Sequence, residues 1–364
     1  MAFGKLSVFF LYLILLSAVL ESLDGGYFHS FSRVSNQFSA KLYNKIRTIP
    51  STSNIFFSPL SISAALGMLE LGARGNTKVQ MDVALEIENI TNIQINISHV
   101  LADTNGVTNS FTLRFTNRLF GDQGFSLNTS YIDDSLAYYG APLGRCDFVN
   151  FPEESRDEIN KWVKEQTEDK IKDLLEPGDI TPSTILALVS AVYFKGKWES
   201  HFDQMQTKKR PFYTANPRPT LVDMMTQTGL FRHIYNEKWQ ASMIEIPYYG
   251  TARMLIILPD QHDGLSHFES QFTGEEIHRL FHSMQESTHS ISTVSIPRFV
   301  LKNMRIDLKE PLKSLGMTDL FSSNADLSGI GGTPGELQLS KVGLQMVLMI
   351  YRKFSHLNLN RAIS

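Results

Sequence analysis

Two histidines on one amphipathic segment have a spacing that suits a metal ion. His278 and His282 lie four residues apart, which places both side chains on the same side of a helix. Four apolar residues define the buried face of that helix: Ile277, Leu280, Phe281 and Met284. The histidines flank this face near solvent, so the pattern favours solvated side chains over metal ligands, and no metal site is predicted.

Other motifs that would indicate an enzyme are incomplete or missing. The glycine-rich run at 329–332 has Pro334 where a dinucleotide-binding loop needs its third glycine, and no helical pattern follows it. The acidic cluster at 153–158 opens a helix, where the helix dipole favours carboxylates, and is not interpreted as a catalytic acid pair. The sequence contains no GxSxG, HExxH or CxxC motif. It therefore predicts no enzyme, no catalytic residue and no cofactor.

The composition is that of a globular protein with a sizeable core. The chain has 364 residues, 42% hydrophobic and 20% charged, with a net charge of −3. These values fit one large domain or two small ones, and they give no reason to expect nucleic acid as a partner. The basic triplet at 208–210 is interpreted as a solvated turn. Cys146 is the only cysteine, so no internal disulfide forms; a buried or idle thiol is favoured over an intermolecular bridge or a redox role.

The N-terminal residues have the pattern of a secretory signal. Lys5 precedes an apolar run from Leu6 to Leu20, which is shorter than the ~20 residues that a membrane-spanning helix needs. We predict a signal peptide over about residues 1–22, a secreted, extracellular product and no membrane partner, with an uncleaved anchor as the alternative. In a secreted chain three sequons become acceptors for N-linked glycans: Asn89, Asn96 and Asn128.

Hydrophobic periodicity predicts a mixture of helices and strands. Helices are predicted at residues 31–46, 158–175 and 274–285. Strands are predicted at residues 111–120, 185–194, 243–246, 254–258 and 292–300. The run at 185–194 is continuously apolar, as expected of a strand that is buried on both faces. With helices concentrated early and strands later, the order of elements indicates the α+β class.

Residues 54–77, NIFFSPLSISAALGMLELGARGNT, are the most specific stretch of the sequence. Ser58 is a natural N-cap with Pro59 at the first helical position. The apolar and small residues around them resemble, in order and spacing, the second helix of the serpins. Ile159–Leu175 is similar to the serpin helix that crosses the face of the main sheet, and Leu188–Trp198 to the strand and turn at the top of that sheet.

Further motifs follow in serpin order and extend the likeness from Phe31 to Val342. They are Pro211–Tyr213, Val222–Met225, Glu245–Tyr248, Met254–Pro259, Ile296–Phe299, Leu312–Phe321, Ala325–Ile330 and Leu337–Val342. So many ordered motifs exclude coincidence, and the chain is identified as a member of the serpin superfamily.

The resemblance implies a fold and an activity. The fold would be a helical body packed on a large mixed main sheet, with smaller additional sheets. Serpins inhibit serine, sometimes cysteine, endopeptidases as suicide substrates: a cleaved reactive loop enters the main sheet as an extra strand and carries the acylated protease with it. A serine protease is thus the expected partner. The helix region 78–100 has Lys78 as its only lysine or arginine, so the basic helix of heparin-activated members is not predicted.

The family also keeps a serine–asparagine–histidine network, the shutter, beneath the opening of its main sheet. Ser58 and Ser61 match the serines of this network. Ser190 stands where asparagine is usual, and Leu344 stands where histidine is usual. Trp198 matches the near-invariant tryptophan at the top of the sheet. The resemblance therefore implies altered control of sheet opening.

The likeness stops after Val342. From Gly343 onward the sequence has no acidic hinge, no alanine run and no Gly-Thr pair, so the reactive bond of the family is absent. We predict a serpin domain over 23–350 that lacks the reactive loop and the last strands and is incomplete at its C-terminus, as in a truncated or splice product, with a non-family tail at 351–364. Such a chain is expected to be non-inhibitory; the alternative is a serpin body that binds, transports or acts as a chaperone.

Overall fold

The computed structural model describes residues 26–49, 55–104, 106–107, 111–213, 218–262 and 264–350, so the predicted signal peptide and tail lie outside the described residues. The helices are α1 Gly26–Ile46, α2 Pro59–Gly72, α3 Gly75–Leu85, α4 Ile93–Thr104, α5 Thr129–Tyr139, α6 Pro152–Gln166, α7 Leu265–Ser270, α8 Gly274–Glu286 and α9 Lys309–Ser314. The strands are β1 Gly106–Val107, β2 Phe111–Asp122, β3 Gly144–Cys146, β4 Leu186–Gly196, β5 Lys208–Phe212, β6 Thr220–Asn236, β7 Ala241–Pro247, β8 Arg253–Pro259, β9 His289–Pro297, β10 Phe299–Arg305 and β11 Lys341–Ile350.

The strands form two sheets. The main sheet has the order β1-β2-β4-β11-β10, with β3 paired to β2, and the second sheet has the order β5-β6-β7-β8, with β9 paired to β6. β4 is antiparallel to β2 and parallel to β11. The strands predicted at 111–120 and 185–194 are therefore confirmed as neighbours. Those predicted at 243–246 and 254–258 pair as β7 and β8. Together with the helices this is the predicted α+β architecture.

The central strand β4 is buried on both faces, as its continuous apolar run predicts. Every residue from Leu186 to Phe194 is buried. Alternate side chains point to opposite faces of a strand, and they enter two separate cores. Leu186, Leu188, Val192 and Phe194 belong to the core shared with α2, whereas Ala187, Val189, Ala191 and Tyr193 belong to the core shared with α6. α2 and α6 thus cover opposite faces of the main sheet.

Helix α2 begins where the sequence predicts. Ser58 has an extended backbone, and its side chain accepts a hydrogen bond from the Ser61 amide at 3.2 Å, with Pro59 at the first helical position. Nearly every residue of the helix is buried, including the polar Ser61 and Glu70. A helix that is apolar on all sides belongs in a core, and α2 packs against β2 and β4.

The helix on the outer face differs from the prediction at both ends. α6 spans Pro152–Gln166, not residues 158–175. The side chain of Thr167 accepts a hydrogen bond from the amide of Ile171 at 3.1 Å, which competes with helix continuation. Glu168 and Asp169 then take positive φ values of 53° and 61°, a left-handed conformation that an α-helix cannot include. Apolar side chains beyond residue 170 are nevertheless buried, along a non-helical path.

The strand predicted at 292–300 is divided at Arg298 between β9 in the second sheet and β10 in the main sheet. The Arg298 amide donates to the Asp223 carbonyl at 2.8 Å, and its guanidinium lies 3.0 Å from the Asp223 carboxylate. These contacts fix the point where the chain changes sheets. The basic triplet at 208–210, expected in a turn, begins edge strand β5, and Lys209 pairs with Asp223 at 3.1 Å.

The region 78–100 contains parts of two helices and is not one continuous helix. α3 ends at Leu85 and is capped by Glu86, whose φ of 63° is left-handed, and α4 begins at Ile93. Lys78 lies in α3, where it contacts the carboxylates of Glu70 and Asp82. The sequence of α4 contains no lysine or arginine.

The glycine-rich run at 329–332 is a loop, as interpreted from the sequence, and it packs on the end of α2. The Gly329 amide donates to the Gly72 carbonyl at 3.0 Å. A Cβ atom on Gly72 would lie 2.2 Å from Ile330 Cγ1 and 3.0 Å from its amide nitrogen. Glycine at position 72 is therefore required by the close approach of this loop.

Gly72→Ala should lower the free energy of unfolding by about 1–3 kcal/mol, because overlap with Ile330 outweighs the ~1 kcal/mol gain in helix propensity. Urea denaturation measures the change. Gly121→Ala is the matched control, since the nearest atom to its added Cβ is Leu143 Cδ2 at 3.4 Å, an ordinary contact. Equal losses in the two variants would show that the close approach at Gly72 does not set the cost.

Candidate functional site

The junction between β4 and β11, here called the seam, is the candidate site. The two strands run parallel and pair without interruption from Ala187–Lys341 to Lys195–Met349. Within the described part of the chain no strand lies between them. The main sheet is therefore closed, and an additional strand would enter here only by separating β4 from β11.

Polar side chains, among them Ser61 and Ser190, meet beneath the seam. The hydroxyl oxygens of Ser61 and Ser190 are 2.6 Å apart, and the Ser61 hydroxyl lies 3.1 Å from Asn117 Oδ1. Both serines are almost completely buried. Ser58 acts one turn earlier, as the N-cap of α2, and orients the helix that carries Ser61. The structure thus brings Ser61 and Ser190 together and places Ser58 as their support.

Asn117 is a member of this network that the sequence interpretation missed. It lies on β2 and is the register partner of Ser190. The signal was available, because Leu113, Phe115 and Leu119 share its face of the strand and all three are buried. An asparagine in such an apolar series requires a polar partner. The side-chain amide of Asn117 accepts a hydrogen bond from Ser61, whereas Ser190 offers only a hydroxyl group.

For Leu344 the structure gives the position of the backbone in β11. It is the register partner of Ser190 on the other side of the seam. Its side chain is outside the described residues. The residue expected at the histidine position of the network therefore lies level with Ser190 and Asn117 in three adjacent strands.

Residues 167–180, here called the strap, cross the outer face of the seam. Asn160 of α6 holds the strap with two hydrogen bonds to Leu175: its Nδ2 donates to the carbonyl and its Oδ1 accepts from the amide, both at 2.9 Å. A Cβ on Gly343 of β11 would lie 2.8 Å from Leu174 Cδ2. The buried leucine therefore occupies the space of the missing side chain at 343.

One ion pair ties the strap directly to the start of β11. Lys341 Nζ lies 2.7 Å from Asp179 Oδ1, and both side chains are only partly exposed. The same end of the strap is held by Glu153, whose carboxylate accepts a hydrogen bond from the Gly178 amide at 3.0 Å. Hydrogen bonds from Arg156 and Gly178 lower the pKa of Glu153, so it remains ionised at neutral pH. Separation of the seam requires these contacts to move.

Trp198 is buried beyond the end of β4 and stacks on Tyr248, with ring centroids 4.2 Å apart and an interplanar angle of 11°. The two residues also form an isolated β-bridge. Phe202 contacts the tryptophan edge-on at 5.7 Å. This aromatic cluster joins the top of the main sheet to the second sheet, and burial raises the pKa of Tyr248 well above its ordinary value.

The three candidate glycan acceptors differ in their surroundings. Asn89 is exposed in a turn. Asn96 is only 4% exposed, which leaves no space for a sugar in the folded chain. Asn128 is exposed, but its Nδ2 atom donates to the carbonyls of Ser328 and Gly329 at 2.9 and 3.1 Å. A glycan on Asn128 would replace one of these bonds, so Asn89 is the best placed acceptor.

Among the residues described between 26 and 350, no cluster of three His, Cys, Asp or Glu side chains has a geometry that holds a metal ion. His282 lies 3.4 Å from Glu286 on the exposed side of α8. The described helices include none with both the length and the apolar character needed to cross a bilayer.

A sequence profile of the family Serpin (serine protease inhibitor) matches residues 33–353. Human Serpin B3 is 35% identical over 324 residues, which cover 84% of this chain and 82% of that protein. The leukocyte elastase inhibitor of Bos taurus is 39% identical over 317 residues, which cover 85% and 83% of the two chains. The chain belongs to the serpin family. This family comprises protease inhibitors and not enzymes, as the sequence predicts.

Solved serpin structures agree with the fold. Uncleaved ovalbumin matches with a TM-score of 0.84 and 26% identity, covering 89% of this chain and 87% of that one. Human thyroxine-binding globulin complexed with thyroxine matches with a TM-score of 0.81 and 26% identity, covering 89% and 86%. The predicted serpin fold, a helical body with a large main sheet and a smaller sheet, is thus confirmed.

The hydrogen bond between Ser61 and Ser190 should couple the two side chains energetically. In a double-mutant cycle of Ser61→Ala and Ser190→Ala, we expect a coupling free energy of about 0.5–1.5 kcal/mol in urea unfolding, because each single change leaves a buried hydroxyl without this partner. Ser155 is also buried, and its hydroxyl donates to the Asp147 carbonyl at 3.1 Å in another part of the molecule. A control cycle of Ser61→Ala with Ser155→Ala should be additive. Additivity in both cycles would contradict the network.

The thiol of Cys146 should make stability depend on pH in alkaline solution. Burial, and secondarily Glu158, raises its pKa from 9.0 to about 12. The folded state therefore favours the neutral thiol, and this contribution is complete below pH 9 and is lost progressively as pH rises from 9 towards 12. The difference in unfolding free energy between the natural chain and Cys146→Ser should decrease over this interval. A difference that is constant with pH would disprove the shift.

Proposed function

We propose that this chain is a secreted serpin body that does not trap proteases. The observation that carries the proposal is the combination of a closed seam with the sequence that follows Val342. β11 pairs with β4 through Met349, and the residues from Gly343 onward have no alanine-rich hinge to insert between them. The seam, the strap and the shutter therefore form a serpin scaffold whose insertable segment differs from that of the inhibitors.

The proposed partner is a serine protease, which cleaves this chain as an ordinary substrate. Trapping requires a scissile bond whose N-terminal side enters the sheet as a strand while the protease is still acylated. Trypsin-like cleavage sites occur after residue 350 at Arg352, Lys353 and Arg361. The segment between them and β11 has no alanine or glycine, and Ser355 is its only small residue, so we expect that cleavage is not followed by insertion. We accordingly propose that residues 23–350 form the serpin domain and that residues 351–364 are a tail outside it.

The absence of trapping predicts a clear result on denaturing gels. Incubation with trypsin, chymotrypsin and leukocyte elastase should cleave the chain without forming a complex that survives boiling. The bovine leukocyte elastase inhibitor, treated in parallel with elastase, serves as the positive control for complex formation. A boiling-resistant band at the summed mass of this chain and a protease would overturn the proposal.

Secretion is proposed from the sequence of the first 22 residues and from the placement of Asn89. In a secretory cell, the natural chain and Asn96→Gln should lose the same mass on glycosidase treatment, whereas Asn89→Gln should lose less. We expect this difference between the variants because Asn89 lies in an exposed turn, whereas Asn96 is buried. A cytosolic product that begins at Met1 and has no glycan would contradict secretion.

A second candidate function is non-inhibitory binding or transport. It is supported by the similarity to thyroxine-binding globulin, a serpin-fold protein that is described with its small ligand. Thyroxine is therefore a suitable first probe. A saturable rise in the melting temperature with thyroxine would favour this function, and the absence of any shift up to millimolar probe would remove thyroxine as the ligand.

A further inference from the structure

The basic triplet at 208–210 lies on an open edge of the second sheet. β5 pairs with β6 from Lys208–Met224 to Phe212–Thr220. Within the described residues no strand pairs with the other side of β5. All three basic side chains are exposed. The outer edge of β5 is therefore open to a further strand, and the side chains beside it decide which strand can bind.

The two faces of this edge differ in charge. Lys208 and Arg210 alternate with Lys209, so they share one face of the strand. Among the described residues neither of these two has a carboxylate partner. Lys209, on the other face, lies 3.1 Å from the carboxylate of Asp223, which also contacts Arg298 at 3.0 Å. One face of the edge thus carries two positive charges without a counterion, whereas the lysine on the other face already has one.

The face of Lys209 is apolar at its outer end. Leu221 of β6 is the register partner of Pro211, and both side chains lie on this face. Leu221 is 65% exposed. Met205, which is 81% exposed, belongs to the short turn Gln204–Gln206 that precedes β5 and lies next to β6. This side of the edge therefore offers contacts to apolar side chains.

The arrangement selects one pattern of side chains in an added strand. Successive residues of a strand point to opposite faces, and directly opposite residues of neighbouring strands share a face. An added strand would place every second side chain beside Lys208 and Arg210, and the others beside Pro211 and Leu221. Acidic residues complement the first set, and apolar residues complement the second. A basic strand would be repelled and an uncharged one would gain no ion pair, so the edge discriminates between strands.

We propose that the open edge of β5 binds an extended segment of a partner protein in which acidic and apolar residues alternate. Its carboxylates pair with Lys208 and Arg210, and its apolar side chains cover Leu221. A sulfated polysaccharide would match the charges but has no apolar side chains for Leu221. An anionic bilayer would be repelled by the exposed carboxylate of Asp203, which caps the turn before β5. The surface is separate from the seam, so this proposal goes beyond the proposed function and does not depend on it.

Two peptides of equal composition test the alternation on the full-length chain. Fluorescein-labelled Glu-Val-Glu-Val-Glu-Val and Glu-Glu-Glu-Val-Val-Val carry the same charge. Fluorescence anisotropy should give a dissociation constant at least about tenfold lower for the alternating peptide, because only that peptide directs all its carboxylates to one face of a strand. Equal affinities would indicate charge attraction alone and would overturn the proposal. Binding of dextran sulfate or phosphatidylserine vesicles without binding of the alternating peptide would also overturn it.

Charge reversal locates the site on the molecule. Lys208→Glu/Arg210→Glu should raise the dissociation constant of the alternating peptide at least about tenfold, because repulsion replaces two ion pairs. Lys170→Glu/Lys172→Glu is the matched control, since it makes the same charge change at two exposed lysines of the strap. Equal weakening in the two double variants would show that the peptide follows net charge and does not bind this edge.

Hydrogen exchange distinguishes an added strand from a looser contact. Saturation with the alternating peptide should slow the exchange of outward-facing β5 amides at least about tenfold, because they gain hydrogen bonds to the added strand. The amides of β4 report that the chain and its variants are folded. Peptide binding that leaves the exchange of every β5 amide unchanged would contradict strand addition.

Discussion

The parallel pairing of β4 with β11 is the constraint on which the rest of the structure depends. A parallel pair requires a long connection between its strands and cover on both of its faces. In this chain the connection includes the whole second sheet, and the cover comes from α2 on one face and from α6 with the strap on the other. Closing this one seam therefore organises the cores on its two faces and positions α2 and α6.

The shutter network shows how a polar group is kept in such a core. A buried hydroxyl without a partner costs about 1–3 kcal/mol, so Ser190 in the middle of β4 needs a specific neighbour. Ser61 supplies it from α2, and Asn117 supplies a further acceptor from β2. These hydrogen bonds hold α2, β2 and β4, which are distant in sequence, in fixed positions relative to one another. The contacts of Ser61 with Ser190 and with Asn117 thus satisfy this buried polar group.

Local patterns predicted most elements of the fold, and their errors have physical causes. The alternation at 111–120 and the apolar run at 185–194 gave the correct strands, because burial on one or two faces leaves a direct signature. The helix predicted over 158–175 was too long, because Ile171, Leu174 and Leu175 keep an apolar pattern for burial under the strap and not for a helix. Thr167 and the left-handed residues after it end α6, and single-residue backbone choices of this kind leave little periodic signal.

Similarly, the resemblance identified Ser58, Ser61, Ser190 and Trp198 but not Asn117 or Asn160. Both asparagines act through one or two hydrogen bonds to partners more than ten residues away, so the sequence does not reveal those partners, although the apolar series around Asn117 marks it as an unusual polar residue. The strap is likewise visible only in three dimensions, because its contact with Gly343 joins two distant segments.

Scaffold and trapping activity place different demands on the sequence. The scaffold needs buried apolar residues, caps and a closed seam, and these are distributed from α1 to β11. Trapping needs, in addition, a segment that is stable outside the sheet before cleavage and inside it afterwards. Small residues meet that demand because they fit between two existing strands without displacing the helix and strap above them. At Gly343 even one added carbon atom would meet Leu174 of the strap. A bulky segment entering the same seam would have to move that strap along its length, so insertion makes demands on the sequence that the closed fold does not.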